Sequence, residues 1–401
     1  MPELAAWEAV YVGGTGGAAF LSDPNHGLEA LACLDCHAAS AAEGEFGDYA
    51  ADHVGVTAWP SLAGACDGCH ADIAATNANS LHTNLWGEKA AVERRGQCVF
   101  SETPAAQAGF ARNCGDCHTS CGQCHVSRPL SVGGGFIGGH LIRRTPDMTL
   151  NCTACHGSRV GHDYTGEDPT VQSDIHYARG HRCELCHRAT EMHGDGLSSN
   201  ASGHYEHRYE VASMPRCEDC HVKSIMDAAH ADDPDWHGEY HDAHWEGLTG
   251  VKLQCQVCHS QPYKNCTFCH VSDPSGYDIE PSVLALKIGK NTEPATRGEY
   301  DYTVVRHTPV HQDTYETWPL ALPGYDDAPT WKYASPHNIR TWTAQTTVDE
   351  GMGCGTSCHD RSGQTPLGWY LREIDLQDEL GGDLPDAAAN AGVVILEGDL
   401  H

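Results

Sequence analysis

The chain has 401 residues, including 21 Cys and 28 His but only 6 Phe and 6 Met, and its 24 basic and 55 acidic side chains give a formal charge of −31. Such an acidic excess excludes nucleic-acid binding, because it repels phosphate and has no counterions to release. No stretch approaches the roughly 18 consecutive apolar residues of a membrane helix, and the hydrophobic content of 40% is modest for this length. Something other than side chains is expected to fill the interior.

In chain order, residues 1–25 read as an N-terminal arm in which Met1 to Val12 shows neither a basic n-region nor an apolar h-region. Residues 26–270 hold nine copies of C-x-x-C-H, each expected on a short helix with coil between copies. Asp67 to Asn79 reads as helical, while Gly133-Gly134-Gly135 and Gly138-Gly139 punctuate the chain. The motif-free stretch 271–353, rich in Pro, Tyr and Trp, reads as a wrapping segment with a short strand at Thr303-Val304-Val305. Residues 354–370 carry a tenth motif, and 371–401 form an acidic C-terminal tail with a strand-like run from Val393 to Leu396.

The nine motifs are Cys33/Cys36/His37, Cys66/Cys69/His70, Cys114/Cys117/His118, Cys121/Cys124/His125, Cys152/Cys155/His156, Cys183/Cys186/His187, Cys217/Cys220/His221, Cys255/Cys258/His259 and Cys266/Cys269/His270. This is the attachment signature of c-type haem. Two thiols one helical turn apart add to the two vinyl groups on one porphyrin edge, and the histidine then ligates the iron. Zinc ribbons, thioredoxin-like pairs and disulfide frameworks also use C-x-x-C, but none requires the histidine. In the tenth motif, Cys354, Cys358 and His359, one extra residue separates the cysteines. There a redox pair or disulfide with His359 as a bystander stays open. The leftover Cys98 reads as a free buried thiol.

The spacing carries further expectations. First cysteines at 121, 152, 183 and 217 follow a loose one-haem interval of 31 to 34 residues. The motifs of His118 and His125 start 7 residues apart and those of His259 and His270 start 11 apart, so each pair should bind neighbouring haems. At about 40 residues per haem, the porphyrins take over the role of an aliphatic core.

Ten motif histidines leave 18 others, enough to give every iron a second imidazole. The expected distal ligands are His26, His53, His82, His140, His176, His193, His207, His244, His307 and His337. His162, His181, His204, His230, His237, His241 and His311 are their substitutes. A catalytic metal keeps an open position, whereas ten saturated irons leave nowhere for substrate. Electron transfer is therefore expected, with no catalytic residue. Bis-histidine ligation also sets fairly low potentials.

Beyond the motifs, Asn151-Cys-Thr-Ala-Cys-His-Gly-Ser-Arg159, Met192-His-Gly-Asp-Gly196, His207-Arg-Tyr-Glu-Val211 with Arg216-Cys-Glu-Asp-Cys-His221, and Leu253-Gln-Cys-Gln-Val-Cys-His-Ser-Gln261 carry a likeness. Arg306-His-Thr-Pro309 and Thr330-Trp-Lys-Tyr-Ala-Ser-Pro-His-Asn-Ile339 extend it over most of residues 26–359. The chain resembles the multihaem c-type cytochromes of bacterial and archaeal extracellular respiration. The resemblance implies a multihaem cytochrome c fold: mostly irregular coil, with short helices and few short strands, wrapped around a chain of ten covalently attached haems. It further implies electron transfer through closely spaced haems, sometimes in cytochrome filaments, with redox proteins or extracellular acceptors as partners.

Haem attachment to both thiols takes place outside the cytoplasm, so an exported protein is expected, extracellular or at the cell surface, with a periplasmic place as the alternative. The numbering is then expected to begin near the mature N-terminus, without a visible lipoprotein anchor. A filament would use the C-terminal run as an edge strand added to a neighbouring subunit. Two other functions stay open, a multihaem reductase of nitrogen or sulfur oxyanions and a haem subunit of a membrane redox complex.

Overall fold

A computed structural model describes residues 23–27, 30, 35–36, 66–114, 120–197, 205–233, 236, 238–245, 247–248, 250–266, 282–292, 300–308, 318, 320–324, 328–347, 368–378 and 380–399. The chain divides into two compact units, and neither is contiguous in sequence. One takes residues 1–87, 114–157 and 183–213; the other takes 88–113, 158–182 and 214–401. The five consecutive segments expected from the sequence do not follow this division.

The first unit is built from very short helices. Ala71–Asn77, Leu81–Asn84, Cys121–His125, Thr153–His156, Cys183–Cys186 and Ala189–Met192 each make one or two turns. The helix expected from Asp67 starts at Ala71, because His70 sits at φ −112°, ψ 44° and separates it from the Cys66–Cys69 turn. Polar contacts do much of the joining. The buried Asn151 donates through Nδ2 to the Gln123 and Ser127 carbonyls at 2.7 and 2.8 Å, and the Tyr205 hydroxyl donates to Asp195 at 2.6 Å. Gly194, at φ +80°, brings its backbone so near helix Ala71–Asn77 that a Cβ would lie 2.5 Å from the Thr76 carbonyl oxygen. Among the described residues of this unit, the buried hydrophobic side chains are Met148, Tyr205 and Val211.

The second unit has a conventional core. The β-branched and aromatic run Tyr302–His307 forms strand β4, which encloses the expected Thr303–Val305 segment. It pairs antiparallel with β3 (Ile288–Lys290, Ile288 opposite Val304) and with β5 (Trp331–Tyr333, Tyr333 opposite Val305). A separate antiparallel pair joins β1 (Tyr263–Asn265) to β2 (Val283–Ala285). Successive residues of a strand face opposite ways, so Val304 and Val305 seed two clusters. Val304 packs with Val257, Tyr263, Leu286, Ile288, Ala334, Trp369 and Ile395. Val305 packs with Leu371, Leu376, Val393 and Val394.

The C-terminal segment departs from its expectation as a tail with an edge strand. Val393, Val394 and Ile395 are buried in this unit, with the Val393 carbonyl accepting from Lys290 N–H at 2.9 Å and Ile395 N–H donating to the Leu371 carbonyl at 2.9 Å. Val393 lies in a turn and the next three residues belong to no helix or strand. The physical reason is that the run finds two apolar clusters of its own chain to cover.

Helix Pro104–Asn113 presents Gly109 to the buried Trp318, where an added Cβ would fall 2.1 Å from the indole. Gly109→Ala is expected to cost about 1–3 kcal/mol through overpacking, read as a lower unfolding midpoint. A variant as stable as the parent would show that this helix is not seated on Trp318.

Candidate functional site

The local geometry of the motif follows from its spacing. In helix Cys121–His125, the first cysteine, the second and the histidine fall at i, i+3 and i+4, which one helical turn places on one face. Cys255–His259 is the same. The Cys66 motif closes the same turn without a regular helix, His70 N–H donating to the Cys66 carbonyl at 2.8 Å. At the Cys217 and Cys183 motifs, His221 and His187 make the equivalent bond at 2.8 and 2.9 Å.

These turns set motif histidines opposite histidines from elsewhere in the chain. In the first unit, His70 faces His26 with ring centroids 6.1 Å apart, His156 faces His82 at 6.1 Å and His125 faces His193 at 5.9 Å. In the second, His221 faces His176 at 6.0 Å and His259 faces His241 at 6.4 Å. Direct ring contact is closer, as for Trp236 and His241 at 4.5 Å. Two imidazoles on one metal, each bonded at about 2 Å with a ring radius of about 1.1 Å, have centroids roughly 6 Å apart. All five pairs join one motif histidine to one non-motif histidine. A sixth spacing of this kind, His176 to His181 at 6.3 Å, joins two non-motif rings.

Hydrogen bonds fix the tautomers. The Nδ1–H of His125 donates to the Arg143 carbonyl at 2.6 Å, that of His259 to Arg340 at 3.2 Å and that of His337 to Ser335 at 2.8 Å. A carbonyl only accepts, so Nδ1 carries the proton and Nε2 keeps its lone pair, the pattern of metal-ligating imidazoles. Carboxylates do the same for His176, where Asp174 lies 2.8 Å from Nδ1, and for His187, where Glu191 lies at 3.0 Å.

Electrostatics favour the neutral, ligating form at five of these histidines and the protonated form at two. Burial, reinforced by the imidazoles of His156, His187 and His193, pushes His82 down to about 4. Burial also lowers His156, His193, His221 and His259. Each is held neutral, as a metal requires. The hydrogen bond that His176 donates to Asp174 raises His176. At His187, burial works against the charged ring but the Glu191 carboxylate outweighs it, so the value rises.

The remaining expected ligands are placed as follows. His140 lies against Phe136 at 4.5 Å, His207 against Tyr209 at 4.7 Å, and His337 edge-on to Tyr164 at 6.4 Å. His244 shares helix Gly238–His244 with His241, but it is His241, named among the substitutes, whose ring faces His259. His307 differs from its expectation. Its Nδ1 meets the Cys266 carbonyl and its Nε2 meets Asp386, both at 2.9 Å, because the end of β4 delivers the ring to the Asp386 and Thr330 network. Among the other substitutes, His162 is buried, the His181 carbonyl accepts from the Tyr164 hydroxyl at 3.2 Å and His230 lies 3.1 Å from Asp233. Cys33, His37, His53, Cys117, His118, His204, His237, Cys269, His270, His311, Cys354, Cys358 and His359 lie outside the described residues, and with them the expected His118/His125 and His259/His270 neighbours.

The thiols cluster as well. Cys66 shares a hydrogen bond with Cys121, Cys152 with Cys183, and Cys217 with Cys255. Cys217, Glu218 and Cys255 place ligand atoms within 4.8 Å of one another, a set that would hold a cation only if those thiols were left uncommitted. Cys98 is a half-buried free thiol.

The second cysteines show that the motifs are not all carried whole on one short helix, as the sequence reading expects. Cys36, Cys155, Cys220 and Cys258 all carry thiols outside any disulfide, yet they share no common setting. Cys36 is half-buried and is the described member of its motif. Cys155 lies on helix Thr153–His156, whereas Cys152 closes the wider turn Met148–Cys152, so two elements divide that motif; the Cys155 thiol lies 3.6 Å from the Ser131 hydroxyl. Cys220 is exposed because Cys217–Asp219 is a tighter 3₁₀ turn, which Cys220 follows at φ −118°. Cys258 stays on its helix, but there the Val304 cluster half-buries it. Cys69 and Cys186 are exposed like Cys220, and burial pushes the Cys124 thiol up to about 11. The cause is local: each motif joins a different neighbouring element, which tilts its second cysteine differently.

One further feature is compatible with haem. The buried Nε atoms of Arg128, Arg143 and Arg372 have no hydrogen-bond partner among the described residues, and that of Arg306 has none although its guanidinium pairs with Asp163. Such orphans are costly, and the carboxylates of a porphyrin are complementary to them. No helix among the described residues is long and apolar enough to cross a membrane. Comparison with family models, with curated proteins and with solved structures finds no match for the chain.

Proposed function

We propose that the chain holds ten c-type haems covalently and carries electrons along them at or beyond the cell surface, exchanging them with redox proteins or extracellular acceptors. The observation that supports this most directly is the set of five imidazole pairs about 6 Å apart, each joining a C-x-x-C-H histidine to one from outside the motifs. Haem iron supplies reversible one-electron chemistry when bound.

The chain's residues do the rest. The cysteine pairs tether, with Cys36, Cys155, Cys220 and Cys258 assigned to this role by their place in the motif. The motif histidines would hold the irons. With His26, His82, His193, His176 and His241 as second ligands, these five positions would take no substrate. Carbonyls and carboxylates on Nδ1 hold the ring planes. The close thiols of the Cys66 and Cys121 motifs, the Cys152 and Cys183 motifs and the Cys217 and Cys255 motifs bring three pairs of attachment edges together within their units.

Protein matured in a host that attaches c-type haem is expected to carry ten haems by intact mass and by alkaline pyridine absorbance. It should be low-spin when oxidised and bind little carbon monoxide when reduced. Protein isolated from such a host without covalent haem would overturn the reading. One high-affinity carbon monoxide site per chain would favour a reductase.

A further inference from the structure

Resting on the haem reading above, we propose that Trp236, backed by His230, is a positioning residue that fixes the ring plane of His241 relative to His259. Trp236 is the middle layer of a stack. Its ring lies 4.5 Å from His241 at 15° on one side and 5.0 Å from His230 at 16° on the other. His241 in turn is nearly parallel to His259, at 9°. Four rings thus share one orientation.

The stack is anchored at several points. The Trp236 Nε1–H donates to Asp227 at 3.0 Å, and Lys223 Nζ grips both Asp227 and Asp242 at 2.6 Å. His230 Nδ1 is held by Asp233 at 3.1 Å, and Trp245 meets His241 edge-on at 5.8 Å and 68°. Rotating His241 about its Cβ–Cγ bond would lift it off the indole and drive it against Trp245. Partners of this kind, one layer out from the metal, orient the ligand.

The angle matters because the imidazole planes set the splitting of the iron d orbitals of π symmetry. Parallel planes split them and give a rhombic electron paramagnetic resonance signal. Perpendicular planes leave them nearly degenerate and give a signal of large maximal g. His259/His241 at 9°, His70/His26 at 18° and His125/His193 at 25° belong to the first class. His156/His82 at 71° and His221/His176 at 64° belong to the second.

The test is resonance spectroscopy on the oxidised holoprotein with spin integration. Trp236→Leu is expected to move about one haem-equivalent from the rhombic class to the large-g class. Trp236→Phe, which keeps a ring to stack but not the bond to Asp227, should retain most of the parent signal. A Trp236→Leu protein with ten low-spin haems and the parent envelope overturns the proposal. If that variant fails to mature, His230→Leu decides: removal of the backing ring should broaden the same rhombic component, and an unchanged spectrum overturns the proposal. A parent protein with no low-spin signal would instead defeat the haem reading on which this rests.

Discussion

Replacing His82 or His176 with alanine is expected to convert one low-spin haem in ten into a five-coordinate, high-spin centre. Each ring faces a motif histidine, His156 or His221, at 6.1 and 6.0 Å. His181 stands 6.3 Å from His176, so a His176→Ala, His181→Ala double variant removes the neighbouring imidazole as well. Burial keeps His82 neutral, and Asp174 aims His176 through its Nδ1. The variant should show a new high-spin absorption band and bind about one carbon monoxide per chain when reduced, and added imidazole should reverse both. His241→Ala should behave the same way opposite His259. His307→Ala should not: with both ring nitrogens already engaged, it should keep ten low-spin haems and lose only stability. A high-spin haem in His307→Ala, or none in His82→Ala and His176→Ala, would refute the pairing.

Preventing haem attachment is expected to unfold the first unit while sparing the sheet of the second. The described part of the first unit buries Met148, Tyr205 and Val211 as its large apolar groups, and its helices of four to seven residues are far too short to stand alone. The second unit buries two hydrophobic clusters around β3, β4 and β5 whatever is bound elsewhere. Limited proteolysis of the chain made without haem maturation should therefore leave a fragment containing β1–β5 and residues 368–396. Equal resistance of residues 114–157 and 183–213 in that sample would show that the first unit carries an adequate core of its own.

How far the chain could be read in advance depended on whether the information was local. The motif turns were legible because i, i+3 and i+4 lie within one helical turn, and Thr303-Val304-Val305 because its β-branched side chains suit a strand. The differing settings of Cys155, Cys220 and Cys258 were not, since an identical motif carries no word of the element that follows it. His241 and His244 stand three apart on one short helix, so spacing alone does not choose between them; the stack on Trp236 does. The Asp386 network around His307 was invisible because its members are 79 and 56 residues apart in the chain. Val393 to Leu396 looked like an idle edge because the surface it covers is assembled from β3, β4 and residues 369–376, which no local pattern connects to it. The division into two interleaved units was likewise hidden, since each gathers segments that lie far apart in sequence.

The three thiol contacts, Cys66 with Cys121, Cys152 with Cys183 and Cys217 with Cys255, also constrain the order of events in biogenesis. In an oxidising compartment, bare thiols held together by a finished fold lose two electrons and two protons to the compartment's disulfide oxidants and close into disulfides, and the geometry here brings together cysteines that belong to different motifs. A chain that compacted first would cross-link the wrong partners and lose two attachment points at each contact. If the motifs carry haem as proposed, productive assembly requires thioether formation on the extended chain, with compaction following only when sulfur no longer has chemistry left to do.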